Sequence, residues 1–124
     1  MINLLLAVSL LGHIAFFVMV QLDFSPRRAD SLFAPADALK LLAAQTLGAL
    51  AVGFCALGAD GFGLLVGKAL ALPVVAGHAY GFVLWRRRGA APAGAPSVRL
   101  FEDALYAAHG LLAAAALLAA VLRA

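Results

Sequence analysis

The sequence predicts an all-α membrane protein, a four-transmembrane-helix up-and-down bundle. Three observations predict it. The 124-residue chain is 65% hydrophobic and only 12% charged, whereas a soluble domain averages about 45–50% apolar and about 25% charged. Its mean hydropathy is +1.03. Its apolar residues fall into four runs, at about residues 2–22, 38–58, 62–85 and 100–122. Each run is close to the roughly 20 residues that cross a hydrocarbon core about 30 Å thick.

The first run, Ile2–Leu22, has no basic residue before it and ends in Val20-Gln21-Leu22-Asp23-Phe24. A secretory signal has a basic start and a small-residue cleavage site, so this run reads as a retained helix. The loop Asp23–Asp37 contains Ser25-Pro26-Arg27-Arg28 and Ala34-Pro35. Asp37 is the expected N-cap of the second helix, because its carboxylate can accept from the first free amides. Gly58-Ala59-Asp60-Gly61 reads as a tight turn into the third helix, Phe62–Trp85. In that helix Pro73 removes a hydrogen bond and frees the carbonyl of Ala69, so a bend is expected there. Three arginines, Arg86 to Arg88, open a connection whose Gly/Ala/Pro stretch, Ala90–Pro96, reads as mobile. Ser97, Glu102 and Asp103 point to a start of the fourth helix near residue 98, with the carboxylates at the positive end of its dipole. Alternating polarity, the mark of a β-barrel, is absent from Leu111–Leu122. A lipid-exposed backbone must satisfy its hydrogen bonds internally, which leaves the helix. The chain is therefore one transmembrane domain, residues 1–124.

Orientation follows from the basic residues. Arg27, Arg28, Lys40, Arg86, Arg87, Arg88 and Arg99 lie on one side, seven of the nine. Only Lys68 and Arg123 lie towards the other. The positive-inside rule places the seven in the cytoplasm and both termini outside. The expected location is a bacterial inner membrane. The charge of +3 orients the protein in a bilayer and does not make a nucleic-acid surface.

Histidines stand in three of the helices: His13, His78 and His109. Counted from the cytoplasmic helix ends they are nine residues from Leu22, eight from Arg86 and ten from Arg99. At about 1.5 Å per residue, all three fall roughly 12–15 Å deep. Gln45 and Thr46 stand a little shallower in the second helix, and Tyr80 and Tyr106 are either belt residues or inward donors beside this layer. Intramembrane polar groups are costly and usually face the bundle interior. A glycine adjoins each histidine, at Gly12, Gly77 and Gly110, so something large can lie close to the backbone.

Two readings compete for these residues. Imidazoles from facing helices can hold a b-type haem iron axially, with His78 and His13 the preferred pair and His109 the alternative. The same three histidines suit copper or zinc. The other reading is an interhelical hydrogen-bond layer, worth about 0.6 kcal/mol per pair, in which case there is no cofactor. A quinone, proton or substrate path is a further use of such a layer. Lys68 is either a snorkelling lysine or the partner of an acidic group such as a haem propionate. Gly77-x-x-x-Gly81 and Gly67-x-x-x-Ala71 suit close helix contact. Trp85, beside three arginines, is expected to be an interfacial anchor. The single cysteine, Cys55, excludes an intrachain disulfide and a CxxC motif. No nucleophile–base spacing, phosphate loop or HExxH is present, so a stand-alone enzyme is not expected.

With histidines in short hydrophobic helices, the layout resembles small haem-anchoring membrane subunits such as those of succinate dehydrogenase. Residues 5–86, with Leu41-Leu42 and Gly58-Ala59-Asp60-Gly61-Phe62-Gly63-Leu64, resemble a small bacterial inner-membrane family of unknown function found with iron-uptake genes. The histidines lie outside that second likeness and the fourth helix is additional to it. Three roles follow as expectations: a haem- or metal-binding subunit of an electron-transfer or iron/metal-handling system, a non-catalytic accessory or assembly subunit, or a small oligomeric transporter. Other membrane subunits, or further copies of the chain, are the expected partners within the lipid bilayer.

Overall fold

Pro35 begins the second helix because a proline in the first turn has no amide hydrogen to lose and a φ already set for the helix. The expectation that Asp37 caps this helix is corrected: Ala34 occupies the cap position, and its carbonyl accepts from the amide of Ala38 at 2.9 Å. Asp37 sits in the first turn instead and accepts from Arg87 Nη2 at 3.3 Å. The fourth helix starts at Pro96, two residues before the expected start near residue 98.

The computed structural model describes residues 1–23, 32–58, 61–89 and 96–123. They form α1 (Ile2–Asp23), α2 (Pro35–Leu57), α3 (Phe62–Arg86) and α4 (Pro96–Arg123). All four are long and apolar enough to cross a membrane. The expected turn residues Ala59 and Asp60, the loop arginines Arg27 and Arg28, and the 90–95 stretch lie outside the described residues. Pro73 lies inside α3, which continues as α-helix on both sides of it.

The helices form an up-and-down four-helix bundle. Each packs on its neighbours in sequence, and α1 closes the ring against α4. Antiparallel pairing is fixed by contacts at matching heights. Arg123 near the end of α4 donates to Asn3 near the start of α1 at 3.3 Å, and Lys40 early in α2 donates to Tyr80 late in α3 at 3.4 Å.

Two apolar clusters fill the interior. Phe16, Val20, Leu41, Leu84, Trp85 and Tyr106 pack in the arginine-bearing half. Leu6, Ala51, Val52, Val74, Ala116 and Leu117 pack in the other. Alanines such as Ala38, Ala51, Ala113 and Ala116 are fully buried, as expected where helices associate in lipid by close packing of small residues. Large apolar side chains, among them Leu11, Leu72 and Leu111, point outward. Helices apolar on every face suit a surrounding of hydrocarbon.

The α3–α4 corner is tied by Arg88. Its guanidinium donates to Asp103 at 2.6 Å, to Glu102 at 2.9 Å and to the Trp85 carbonyl at 2.9 Å. It also lies 4.7 Å from the centre of the Trp85 ring. The expectation that Trp85 anchors the protein at the lipid interface is therefore corrected. Trp85 is 3% exposed, stacked on Tyr106 and covered by Arg88. Arg99 completes the corner by donating to the carbonyls of Arg86 and Arg88 at 3.1 and 2.8 Å, which satisfies acceptors at the end of α3.

Candidate metal centre

Each helix carries one inward stripe. On α1 it is Leu6, Ser9, His13, Phe16 and Val20. On α3 it includes Val74, His78, Gly81 and Leu84, and on α2 it includes Leu41, Gln45, Gly48 and Val52. On α4, Tyr106, His109, Ala113 and Ala116 are buried at the same spacing. Steps of three and four residues keep one face of a helix together. Each histidine thus points inward because it falls on an otherwise apolar core stripe.

The three imidazoles meet between the two apolar clusters. His13, His78 and His109 are 0%, 5% and 6% exposed. Their ring centroids are 4.5 to 5.0 Å apart. One potential ligand nitrogen from each lies within 4.8 Å of the others, so the cluster is capable of coordinating a metal ion. Phe16 stacks on His109 at 4.7 Å and walls the site on the side of the arginines.

Hydrogen bonds assign the protons. His13 Nδ1 lies 2.6 Å from the Ser9 carbonyl and must donate to it, because a carbonyl only accepts. The neutral ring then presents a bare Nε2 to the interior, 2.9 Å from His78 Nε2. His109 Nε2 lies 2.8 Å from Gln45 Oε1. The amide of Gln45 is oriented by its own donation to the Tyr106 hydroxyl at 3.3 Å, so its oxygen faces His109 and His109 Nε2 donates. His109 Nδ1 is left as a bare nitrogen. Neither it nor His78 Nδ1 has a hydrogen-bond partner among the described residues, although both are buried. Buried polar atoms without partners are infrequent and costly.

Room for the rings comes from glycines across the helix interfaces. A Cβ on Gly48 of α2 would overlap the His13 ring. On Gly12 it would come within 2.8 Å of His109 Nδ1, and on Gly110 within 3.5 Å of His78 Cβ. Gly77, the expected neighbour of His78, lies instead towards Ala44 at 3.8 Å.

Of the polar groups expected beside the histidines, Gln45 and Tyr106 join the cluster. Thr46 does not: it is exposed on the outer face of α2 and donates to the Leu42 carbonyl at 2.9 Å. Tyr80 is also outside, half exposed and bonded to Lys40. Lys68 is exposed on α3, away from the cluster. Ser9, Phe16 and Gly48 belong to the site but were not singled out from the sequence. Gly48 follows Gln45 by three residues on the same face, which was the available signal. Comparison with protein-family models, curated proteins and solved structures finds no match.

Proposed function

We propose that this protein holds one metal ion between His13, His78 and His109 and serves as a metal-binding subunit of a bacterial inner-membrane electron-transfer or metal-handling system. The observation that carries the proposal is the pair of outward hydrogen bonds, His13 Nδ1 to Ser9 and His109 Nε2 to Gln45. A metal-ligating histidine almost always donates its far N–H to a carbonyl or carboxylate, which fixes the tautomer and aims the other nitrogen at the metal. Two of the three rings have this support, and all three belong to one buried cluster.

Ring spacing favours a single ion over haem b. Axial imidazoles lie on opposite faces of a macrocycle, with their nitrogens about 4 Å apart, twice a metal–nitrogen bond. The 2.9 Å between His13 and His78 falls well short of that, and the edge contacts of both rings with His109 leave less room for a macrocycle than for one ion. The basic residues support the cytoplasmic placement of the arginine-rich end. Helix surfaces apolar on all sides support a setting within the bilayer.

The second reading is an accessory subunit whose histidines only pack, and the His13–His78 contact favours it, since 2.9 Å is also an ordinary N–H···N distance. Metal analysis of protein purified without chelators separates the two. A stoichiometric ion that disappears in the histidine variants supports the metal centre. A colourless, metal-free protein that takes up no added copper or zinc supports packing alone.

A further inference from the structure

The charge balance around the histidines points to which ion they hold. We infer that the site is built for a monovalent soft cation, Cu(I), bound by three imidazoles. This rests on the metal-centre reading above and deepens it.

Among the described residues, all groups in direct contact with the cluster are neutral. Neutral tautomers satisfy the hydrogen bonds of all three rings, each ring donating from one nitrogen. Ser9, Gln45, Tyr106 and Phe16, which surround them, carry no charge. The carboxylates of the described residues are committed elsewhere. Asp103 and Glu102 hold Arg88, Asp37 holds Arg87, and Asp23 accepts from the amides of Leu32 and Phe33. Asp103 is the nearest to His109 along α4, and it is six residues away, roughly 9 Å along the helix.

An ion at this site therefore keeps its full charge inside the bundle. The cost of transferring an ion out of water rises with the square of its charge, so a divalent ion costs about four times as much as a monovalent one of the same size. Divalent sites usually offset that cost with a carboxylate or thiolate ligand, and among the described residues neither is within reach. Coordination number leads to the same ion. Zn²⁺ completes a tetrahedron, commonly with water as the fourth ligand when the protein supplies three. Here Phe16 stacks on His109, the grooves that reach His78 and His13 from outside are lined mostly by apolar side chains, and the histidines are at most 6% exposed, so water has little access. A closed set of three nitrogens suits Cu(I), a d¹⁰ ion content with low coordination, and imidazole is an accepted copper ligand.

The test is a pair of competition titrations on the full chain in detergent micelles. One uses Cu(I), kept reduced without oxygen, against a chromogenic Cu(I) chelator. The other uses Zn²⁺ against a chromogenic zinc chelator. The expected result is one Cu(I) per chain, bound more tightly than Zn²⁺, with three nitrogen neighbours by X-ray absorption. Zn²⁺ binding as tight or tighter would overturn the Cu(I) assignment and leave a metal centre standing. Binding of neither ion would overturn both. Gln45→Glu provides an independent check, because it places a carboxylate against His109 without changing the side-chain size. Its ratio of Zn²⁺ to Cu(I) affinity should rise at least about tenfold. An unchanged ratio in a variant that keeps the wild-type helical spectrum would refute the charge argument.

Discussion

His13 Nε2 and His78 Nε2 face each other at 2.9 Å across the α1–α3 diagonal of the bundle. Two helices that share little other contact are joined there by two nitrogen atoms, one of them bare because Ser9 holds the proton of the other side of its ring. For an ion to take that place, the His78 proton would have to shift from Nε2 to Nδ1, which is buried and has no other partner among the described residues.

The first prediction follows from that geometry. His13→Ala, His78→Ala and His109→Ala should each reduce bound metal from one equivalent per chain to background, measured by elemental mass spectrometry. A haem held by two of the rings would behave differently: one of the three substitutions would leave the visible spectrum intact. A hydrogen-bond layer would show neither pattern, and each substitution would cost only about 0.6 kcal/mol per lost pair.

Gly48 gives a steric test that leaves every ligand in place. A methyl group there overlaps the His13 ring, which is fully buried and has nowhere to retreat without leaving the cluster. Gly48→Ala should weaken metal binding by about tenfold or more, a loss typical of disturbed ligand positioning. Gly53, on the same helix, has no atom within 4 Å of its position for a Cβ. Gly53→Ala should therefore bind metal like the wild type. Equal binding in the two variants would show that His13 is not held where the structure places it.

The bundle was legible in the sequence because span length is set by the bilayer and the four runs match it. Convergence of His13, His78 and His109 was legible for a related reason, since an up-and-down bundle aligns depths counted from one membrane face. Which polar neighbour joins them was not. Gln45 and Thr46 are adjacent, have similar depth and differ by about 100° around the helix, so only the packing of α2 shows that Gln45 points in and Thr46 out. Trp85 was misplaced because its neighbours in sequence suggested an interface. The guanidinium of Arg88 folds back over it, a contact that depends on Glu102 and Asp103 arriving from α4.

Gln45 positions His109 without reaching the ion's place itself. Gln45→Leu removes the acceptor at 2.8 Å and the donor to Tyr106 and leaves an apolar side chain in their place. His109 is then free to flip its tautomer. Metal affinity should fall between about 10-fold and 100-fold, with helical content unchanged by circular dichroism. A loss of helix instead of affinity would assign Gln45 to the fold alone.

Arg88 should matter to stability and not to the metal. Its side chain is 3% exposed, and it is bonded to Asp103, itself 13% exposed. Arg88→Ala leaves that carboxylate buried without its partner, a change that costs about 3 kcal/mol when a buried pair is broken. Arg87 pairs with Asp37 from a side chain that is 57% exposed, and such pairs contribute about 1 kcal/mol or less. Thermal unfolding in micelles should therefore show a clear drop for Arg88→Ala and little change for Arg87→Ala. Both should retain one ion per chain.

Topology is the last prediction. The ends of α1 and α3 and the starts of α2 and α4 share one end of the bundle, which carries Lys40, Arg86, Arg87, Arg88 and Arg99, with Arg27 and Arg28 in the connection between α1 and α2. Lys68 and Arg123 lie towards the opposite end. Carboxylates contribute little to orientation, so the neutralisation of Arg88 by Asp103 and Glu102 does not remove it from the count. The arginine-rich end should face the cytoplasm. A phosphatase reporter, active only outside, should be active when fused after Arg123 and inactive when fused after Gly89. A fluorescent reporter that matures only in the cytoplasm should give the reverse. Replacing Arg86, Arg87 and Arg99 together with alanine should produce a mixed population with both reporters partly active. If the Arg123 fusion proved cytoplasmic in the unaltered chain, the number of membrane crossings would have to be odd or the whole bundle inverted, and the arginine-rich end could not be the inner face.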